Sequence, residues 1–336
     1  MGGLLMTADR LSRQLDRVRR SMPETPVMRL EHENVDLYAK LEFTNPNGSS
    51  KDRSAFWMLK QAVERGDIND RTTVVESSSG NLAVSMASLC RSLGVPFVPV
   101  IDPNCNAITE AYLRSVCDRV EKVTVRDSSG GFLATRLDKV TELRDEIASV
   151  YWPNQYANTD AIFGHYRLTG GELVRAFRRI DYVFVGTSTG GTIGGLSLRL
   201  KETYQGIRVI AIDAEGSAIF GGHPKKRRIP GLGSSITPEL FDHALIDDVV
   251  VVPERDTVEG CRRLLRDHGI YAGGSSGTVY TAIERYFAGY RGRRPTVAFL
   301  CADRGTAYAD TVYNPAWAAS LSEDDTPSLE LEVVHA

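Results

Sequence analysis

Lys51 stands in the run "NPNGSSKDRSA", residues 45–55, among turn formers and small hydroxyl side chains. After it, "SSKDRSAFWMLKQAVERG" carries apolar residues at 55, 58, 59, 62 and 63, the spacing of one helix face. Lys51 therefore falls at or near a helix N-terminus, where the helix dipole disfavours a cation. A lysine placed there needs an anion beside it or a suppressed charge. With its charge suppressed it becomes a nucleophile that can form an imine with a carbonyl. Taken alone, Lys51 also reads as a solvated residue in a helix's first turn.

Three further runs of small residues bear on the choice. "ESSSGNLA", residues 76–83, follows the strand-like "TTVVE" and opens the helix-like "NLAVSMASL". Its serines, Gly80 and Asn81 present hydroxyls and free backbone N–H groups, a nest suited to a carboxylate or a phosphate. A serine helix cap is the purely structural alternative. "VGTSTGGTIGG", residues 185–195, lies between "DYVFV" and "GLSLRLKE" and joins flexible glycines to the hydroxyls of Ser188, Thr189 and Thr192. That is a phosphate cradle without a nucleotide signature. The lysine of a Walker loop is absent, and Ser188 stands where GxGxxG needs its second glycine. "GIYAGGSSGTVYTA", residues 269–282, is a further small-residue run at a helix start. A phosphate cradle together with an imine-forming lysine is the chemistry of pyridoxal phosphate.

The elements that must position these loops are legible as alternating strands and helices. Short β-branched runs ("LYAKLEF", "TTVVES", "FVPVID", "KVTVR", "YVFVGT", "RVIAID", "DDVVVVP", "TVAFLCA") alternate with helical segments such as "TDAIFGHYRLTGGELVRAFRR". This order predicts an α/β protein with mostly parallel sheets, and runs apolar on both faces predict strands covered on both sides. The strands suffice for two twisted sheets, hence two α/β domains with a cleft between them. The final "LSEDDTPSLELEVVHA" reads as an acidic tail with one short strand. Lys and Arg number 40 against 43 Asp and Glu, so no basic surplus points to nucleic acid. No apolar stretch is long enough to span a membrane, and the first residues lack the pattern of a secretion signal. Five cysteines without a CxxC pair and six scattered histidines suggest neither disulfides nor a metal, and a cytoplasmic setting is expected.

The four loops, in this order, resemble fold-type II pyridoxal-phosphate enzymes of the cysteine synthase and cystathionine β-synthase group, from about "TPVMRLE" to "DTVYNP". The resemblance implies an active site in the cleft between a large domain, residues 1–44 plus 160–336, and a smaller domain, residues 45–159. It implies that Lys51 carries pyridoxal 5'-phosphate and acts as the acid–base catalyst. Asn81 would bond the cofactor's 3′-oxygen, Ser275 its pyridine nitrogen, and Ser188, Thr189, Gly190, Gly191 and Thr192 its phosphate. On the substrate side it implicates Ser77, Ser78 and Ser79, the last two at the α-carboxylate, and Gln155 and Tyr156 of "NQYANTD". Leu82 stands where the family often has threonine, which leaves only a backbone contact there. Members are homodimers as a rule, and their substrates are small amino acids.

Two departures from ordinary cysteine synthases bear on the substrate. Tyr156 replaces phenylalanine and Ser188 replaces glycine, each adding a hydroxyl, and Arg136 of "GGFLATRLDKV" adds a cation. Together they suit a phosphorylated leaving group better than acetate. "ESSSGN", "GGFLATR" and "DRGTAYADTVYN" resemble a branch that joins O-phospho-L-serine to L-glutamate on the way to 2,3-diaminopropionate for siderophores and peptide antibiotics. The alternatives are a synthase using sulfide or a thiol, and an inactive cofactor-binding sensor. The basic run "KKRR", residues 225–228, reads as a solvated loop or as an attractor of anionic substrates.

Overall fold

The computed structural model describes residues 2–128, 130–321 and 333–335. Its strands are β1 (Val27–Leu30), β2 (Asp36–Lys40), β3 (Thr73–Ser77), β4 (Phe97–Ile101), β5 (Glu121–Lys122), β6 (Val150–Tyr151), β7 (Tyr182–Gly186), β8 (Arg208–Ala214), β9 (Asp248–Val252), β10 (Thr296–Leu300) and β11 (Val333–His335). They form two sheets. A seven-stranded sheet runs β1-β2-β10-β7-β8-β9-β11, and a four-stranded sheet runs β5-β4-β3-β6. The small sheet is parallel throughout. The large one is parallel from β2 to β9, with antiparallel β1 and β11 on its edges.

Buried parallel strands need apolar residues on both faces, and β4, β8 and β10 supply them almost without interruption. Phe184, Ile210, Val250, Phe287 and Phe299 fill one face of the large sheet. On the small-sheet side, Phe56, Met58 and Leu59 of the helix Lys51–Arg65 pack with Leu82 and Met86 of the helix Asn81–Leu93. Leu11 and Leu15 of the first helix join the same core. Among the described residues no helix is long and apolar enough to cross a membrane.

The structure departs from the sequence reading in three elements. "KVTVR" is not a strand: only Glu121 and Lys122 pair with β4, at the outer edge of the small sheet. With no strand beyond it among the described residues, Val125 stands 68% exposed. The helical run 160–176 is interrupted by a π-turn over His165–Thr169. The helices after the two glycine-rich runs also start early, at Gly191 and Gly274, so Thr192 and Ser275 lie in first turns. The short strand expected in the tail is present as β11, antiparallel to β9, while residues 322–332 lie outside the described residues.

A buried charge cluster joins the Lys51 helix to the large sheet. Lys40 lies 2.6 Å from Glu172, and Arg53 bridges Glu172 at 2.9 Å and Glu42 at 3.2 Å. Thr25 donates to Glu42 at 2.7 Å, and Asn45 does so at 2.9 Å. Burial pushes the Glu42 carboxyl up, but Arg53 and Lys40 outweigh it and hold the group below the usual carboxylate range. Two cations and two anions, all shut from water, leave the cluster neutral.

Candidate active site

The helix Lys51–Arg65 begins at Lys51 itself, and Ser50 makes no side-chain cap. Other contacts fix this start. Ser50 N donates to the Ala302 carbonyl at 2.7 Å, and Ser49 bridges to Asp303 across the end of β10. The neighbouring Asp52 accepts from Asn47 N, from Asn47 Nδ2 and from Ser85 Oγ, at 2.8, 2.8 and 2.6 Å. Burial lowers the pKa of the Lys51 ammonium, and the Asp303 carboxylate opposes that shift. The suppressed charge expected of this lysine thus comes chiefly from desolvation.

Asn81 opens the next helix, and its Nδ2 donates to Asp303 Oδ2 at 2.8 Å. Tyr308 Oη donates to the same oxygen at 2.9 Å, while Asp303 Oδ1 is buried without a hydrogen-bond partner among the described residues. Asp303 therefore ties the Lys51 segment to the asparagine loop. Gly273, just before the Ser275 helix, comes so close to the Asp303 carboxylate that no side chain would fit there. Ser275 is buried at the C-terminal end of β7, where a side chain on Gly186 would meet Leu232 and Ser275.

Gly190 takes φ +91°, a left-handed conformation that glycine adopts without strain, and it precedes the helix Gly191–Thr203. No side chain caps that helix and no acidic residue sits in its first turn, so its leading N–H groups remain as donors. Thr192 Oγ1 lies 3.2 Å from His165 Nε2, and His165 Nδ1 lies 3.0 Å from Thr169 Oγ1. Burial, with Lys51 and Arg53 adding to it against Glu42, pushes the His165 imidazole down to about 3, so the ring is neutral. Ser188 Oγ donates to the Gly233 carbonyl at 3.3 Å, a long bond that a ligand can displace. Neutral hydroxyls and backbone N–H groups at a helix start fit a phosphate dianion, which brings its own charge.

Across the cleft, the loop after β3 meets Arg136, Gln155 and Tyr156. Ser78 Oγ accepts from Ala83 N at 3.3 Å, so part of its role is to cap the helix. Ser79 Oγ accepts from Asp102 N at 3.0 Å and from Arg136 Nη1 at 3.1 Å. With both lone pairs engaged, the Ser79 proton remains to be given to an acceptor. Arg136 Nε stands 3.2 Å from Asp102 Oδ2. Burial raises the pKa of the Tyr156 phenol, and the Arg136 guanidinium draws it back. Gln155 Nε2 donates to the Ser77 carbonyl at 3.0 Å, and Ser77 Oγ is buried without a partner among the described residues. Leu82 is packed into the core, so its side chain offers the site nothing.

Beneath this loop, Glu76 accepts from Ser77 N at 2.8 Å and from Trp152 Nε1 and Gln155 N at 3.3 Å each. Burial lifts its carboxyl to about 7.

The structure thus brings Lys51, Asn81 and Asp303 together, and Arg136, Ser79 and Tyr156 likewise. It adds Glu76, Asp102, His165, Asp303 and Tyr308, which sequence reasoning missed. One signal was available for Asp303: it follows the apolar strand β10 directly, at the C-terminal edge where open parallel sheets bind ligands. The basic run 225–228 is largely engaged elsewhere. Lys225 pairs with Glu215 at 2.8 Å, Arg227 donates to the Gly216 carbonyl at 2.6 Å, and Arg228 donates to Ser320 Oγ at 2.8 Å.

Residues 18–302 match the family described as "Pyridoxal-phosphate dependent enzyme". An N-(2-amino-2-carboxyethyl)-L-glutamate synthase of Ralstonia nicotianae is 41% identical over 304 residues, covering 89% of each chain. Among solved structures, an O-acetylserine dependent cystathionine beta-synthase from Helicobacter pylori superposes with a TM-score of 0.81 at 25% identity, covering 88% of this chain and 97% of that one. A hydrogen sulfide-producing enzyme from Fusobacterium nucleatum gives 0.81 at 27% identity, covering 87% and 98%.

Proposed function

Because this chain belongs to the pyridoxal-phosphate dependent enzymes, we propose that it is a β-replacement catalyst joining O-phospho-L-serine to L-glutamate. When bound, pyridoxal phosphate supplies the electron sink that makes an amino acid's α proton removable. Lys51 Nζ would hold the cofactor and would serve as the base that takes the substrate's α proton and later returns it. Ser188, Thr189 and Thr192, with the N–H groups that follow Gly190, bind the cofactor phosphate. Asn81 would bond the 3′-oxygen and Ser275 the pyridine nitrogen. A neutral hydroxyl leaves that nitrogen without the charge a carboxylate would hold on it, which suits loss of a β substituent over transamination.

Ser78 and Ser79 take the substrate carboxylate, with Ser77 and Gln155 behind them. Arg136 and Tyr156 face the leaving group. The β C–O bond to phosphate breaks, phosphate departs, and the glutamate amine forms the new C–N bond. The product is N-(2-amino-2-carboxyethyl)-L-glutamate, a precursor of 2,3-diaminopropionate.

The observation that carries this reading is the Arg136 guanidinium bonded to Ser79 and set beside Tyr156. A cation is directed at the loop that holds the substrate, where acetate would need none. The 41% identical synthase supports the same substrates. The test crosses phosphoserine and acetylserine with glutamate and sulfide and identifies products by mass spectrometry. We expect the phosphoserine–glutamate pair to dominate. Cysteine as the sole product would overturn the reading in favour of sulfide chemistry.

A further inference from the structure

His165 has no part in the chemistry proposed above, yet hydroxyls engage both nitrogens of its buried ring. Nε2 lies 3.2 Å from Thr192 Oγ1, and Nδ1 lies 3.0 Å from Thr169 Oγ1. Two features hold the ring in this place. The π-turn has His165 and Thr169 as its two ends and closes from Gly170 N to the His165 carbonyl. The helix Gly191–Thr203 then packs so closely on this turn that a side chain at Gly195 would strike the Ile162 carbonyl, His165 Cβ and Tyr166 N. Thr192 itself is only half-buried, so its hydroxyl meets the ring without being enclosed.

Proton accounting limits what these three side chains can do. A neutral imidazole has one N–H and one bare nitrogen, and each hydroxyl has one proton to give. Burial, with the charges of Lys51 and Arg53 outweighing Glu42, keeps this ring neutral. If Thr192 gives its proton to Nε2, it turns only lone pairs towards an anion at residues 188–192. An anion is an acceptor and gains nothing from them. In the opposite arrangement Nε2–H donates to Thr192 Oγ1, the Thr192 proton is left for the anion, and the bare Nδ1 takes the proton of Thr169. We propose that His165 is a positioning residue that makes Thr192 a committed donor: Thr169 donates to Nδ1, Nε2–H donates to Thr192 Oγ1, and the Thr192 hydroxyl donates to the cofactor phosphate. All three protons then point the same way, towards the anion, and no ionised side chain is needed.

The inference rests on the reading that residues 188–192 hold the cofactor phosphate, so the test starts there. The full-length chain, stripped of cofactor, is titrated with pyridoxal 5'-phosphate and with pyridoxal, which lacks only the phosphate. His165→Phe keeps an aromatic ring but removes both nitrogens, and we expect it to weaken the phosphorylated ligand about tenfold and pyridoxal less than about twofold. His165→Gln supplies an amide N–H in place of Nε2–H and should recover affinity to within about threefold of the unsubstituted chain. Adding His165→Phe to Thr192→Val should cost nothing further, because the ring acts through that hydroxyl.

A second readout needs no substitution in the chain observed. Nitrogen NMR of the histidine-labelled, cofactor-loaded chain reads the tautomer, with the His165 signal assigned by its loss in His165→Gln. We expect Nε2–H, and Nδ1–H would overturn the inference. If His165→Phe does not fold, Thr169→Val leaves the ring in place and removes the donor to Nδ1, with an expected loss of about threefold for the phosphorylated ligand alone. Equal losses for both ligands would show a merely structural role and overturn the inference. A preference for the phosphorylated ligand that survives in His165→Phe overturns the role of His165 alone. An unsubstituted chain that binds both ligands equally overturns this inference together with the phosphate site it rests on.

Discussion

The two walls of the cleft are built of different chemistry. The wall on the large sheet, Ser188 to Thr192 and Ser275, offers hydroxyls and backbone N–H groups and no ionised side chain. The wall on the small sheet carries Arg136, Asp102 and Glu76 among its serines. A neutral cradle selects by shape and takes its electrostatics from the ligand and the helix start. On the function proposed above, the charged wall would select by valence. Arg136 already stands 3.2 Å from Asp102, so an incoming anion must outcompete a resident carboxylate. A phosphate dianion is better equipped for that than a neutral acetyl ester. The first wall suits a cofactor common to many enzymes, and the second suits the choice among substrates.

Substitutions on either wall can break this contrast. Arg136→Gln is expected to lower kcat/KM for phosphoserine about 100-fold through the lost charge-assisted bonds, with acetylserine turnover changed less than threefold. Steady-state kinetics on both substrates check this, and equal losses would remove the distinction between the walls. Thr192→Val, on the neutral wall, is expected to weaken cofactor affinity about tenfold while leaving the ratio between the two substrates unchanged. Fluorescence titration of the cofactor-stripped chain measures the affinity.

The smallest effect concerns Glu76. Its folded-state pKa of about 7 stands above the ordinary 4.5, so in that window the folded chain keeps a proton that the unfolded chain releases. The corresponding stability is present below the ordinary carboxyl range and is lost as pH rises towards 7. Glu76→Gln should flatten that loss by about 1 kcal/mol per pH unit, or roughly 2 °C in Tm. Thermal melts of both proteins at several pH values between 4.5 and 7 decide it, and parallel slopes would rule it out.

Much of the large sheet was legible because local sequence dictates it. Apolar runs such as "DDVVVVP" fold into parallel strands, and small residues between a strand and a helix form nests whatever lies beyond them. Less legible was whatever depends on distant partners. The bond from Asn81 to Asp303 spans 222 positions, and a single aspartate after a strand gives no periodic signal. Arg136 could be placed near the site, but its pairing with Asp102 across 34 positions could not be read. "KVTVR" misled because its composition suits a strand, while strand formation there depended on a neighbour that the outer edge of the sheet lacks.

The buried quartet of Lys40, Glu42, Arg53 and Glu172 also limits how modular this enzyme can be. Arg53 lies two residues after Lys51 on the same helix, while its partners belong to other segments. A Lys51 helix grafted from a relative without the matching partners would leave an uncompensated charge in the core. Chimeras that exchange this helix should therefore inherit all four residues as a block, and natural divergence at any one of them should be accompanied by change at another.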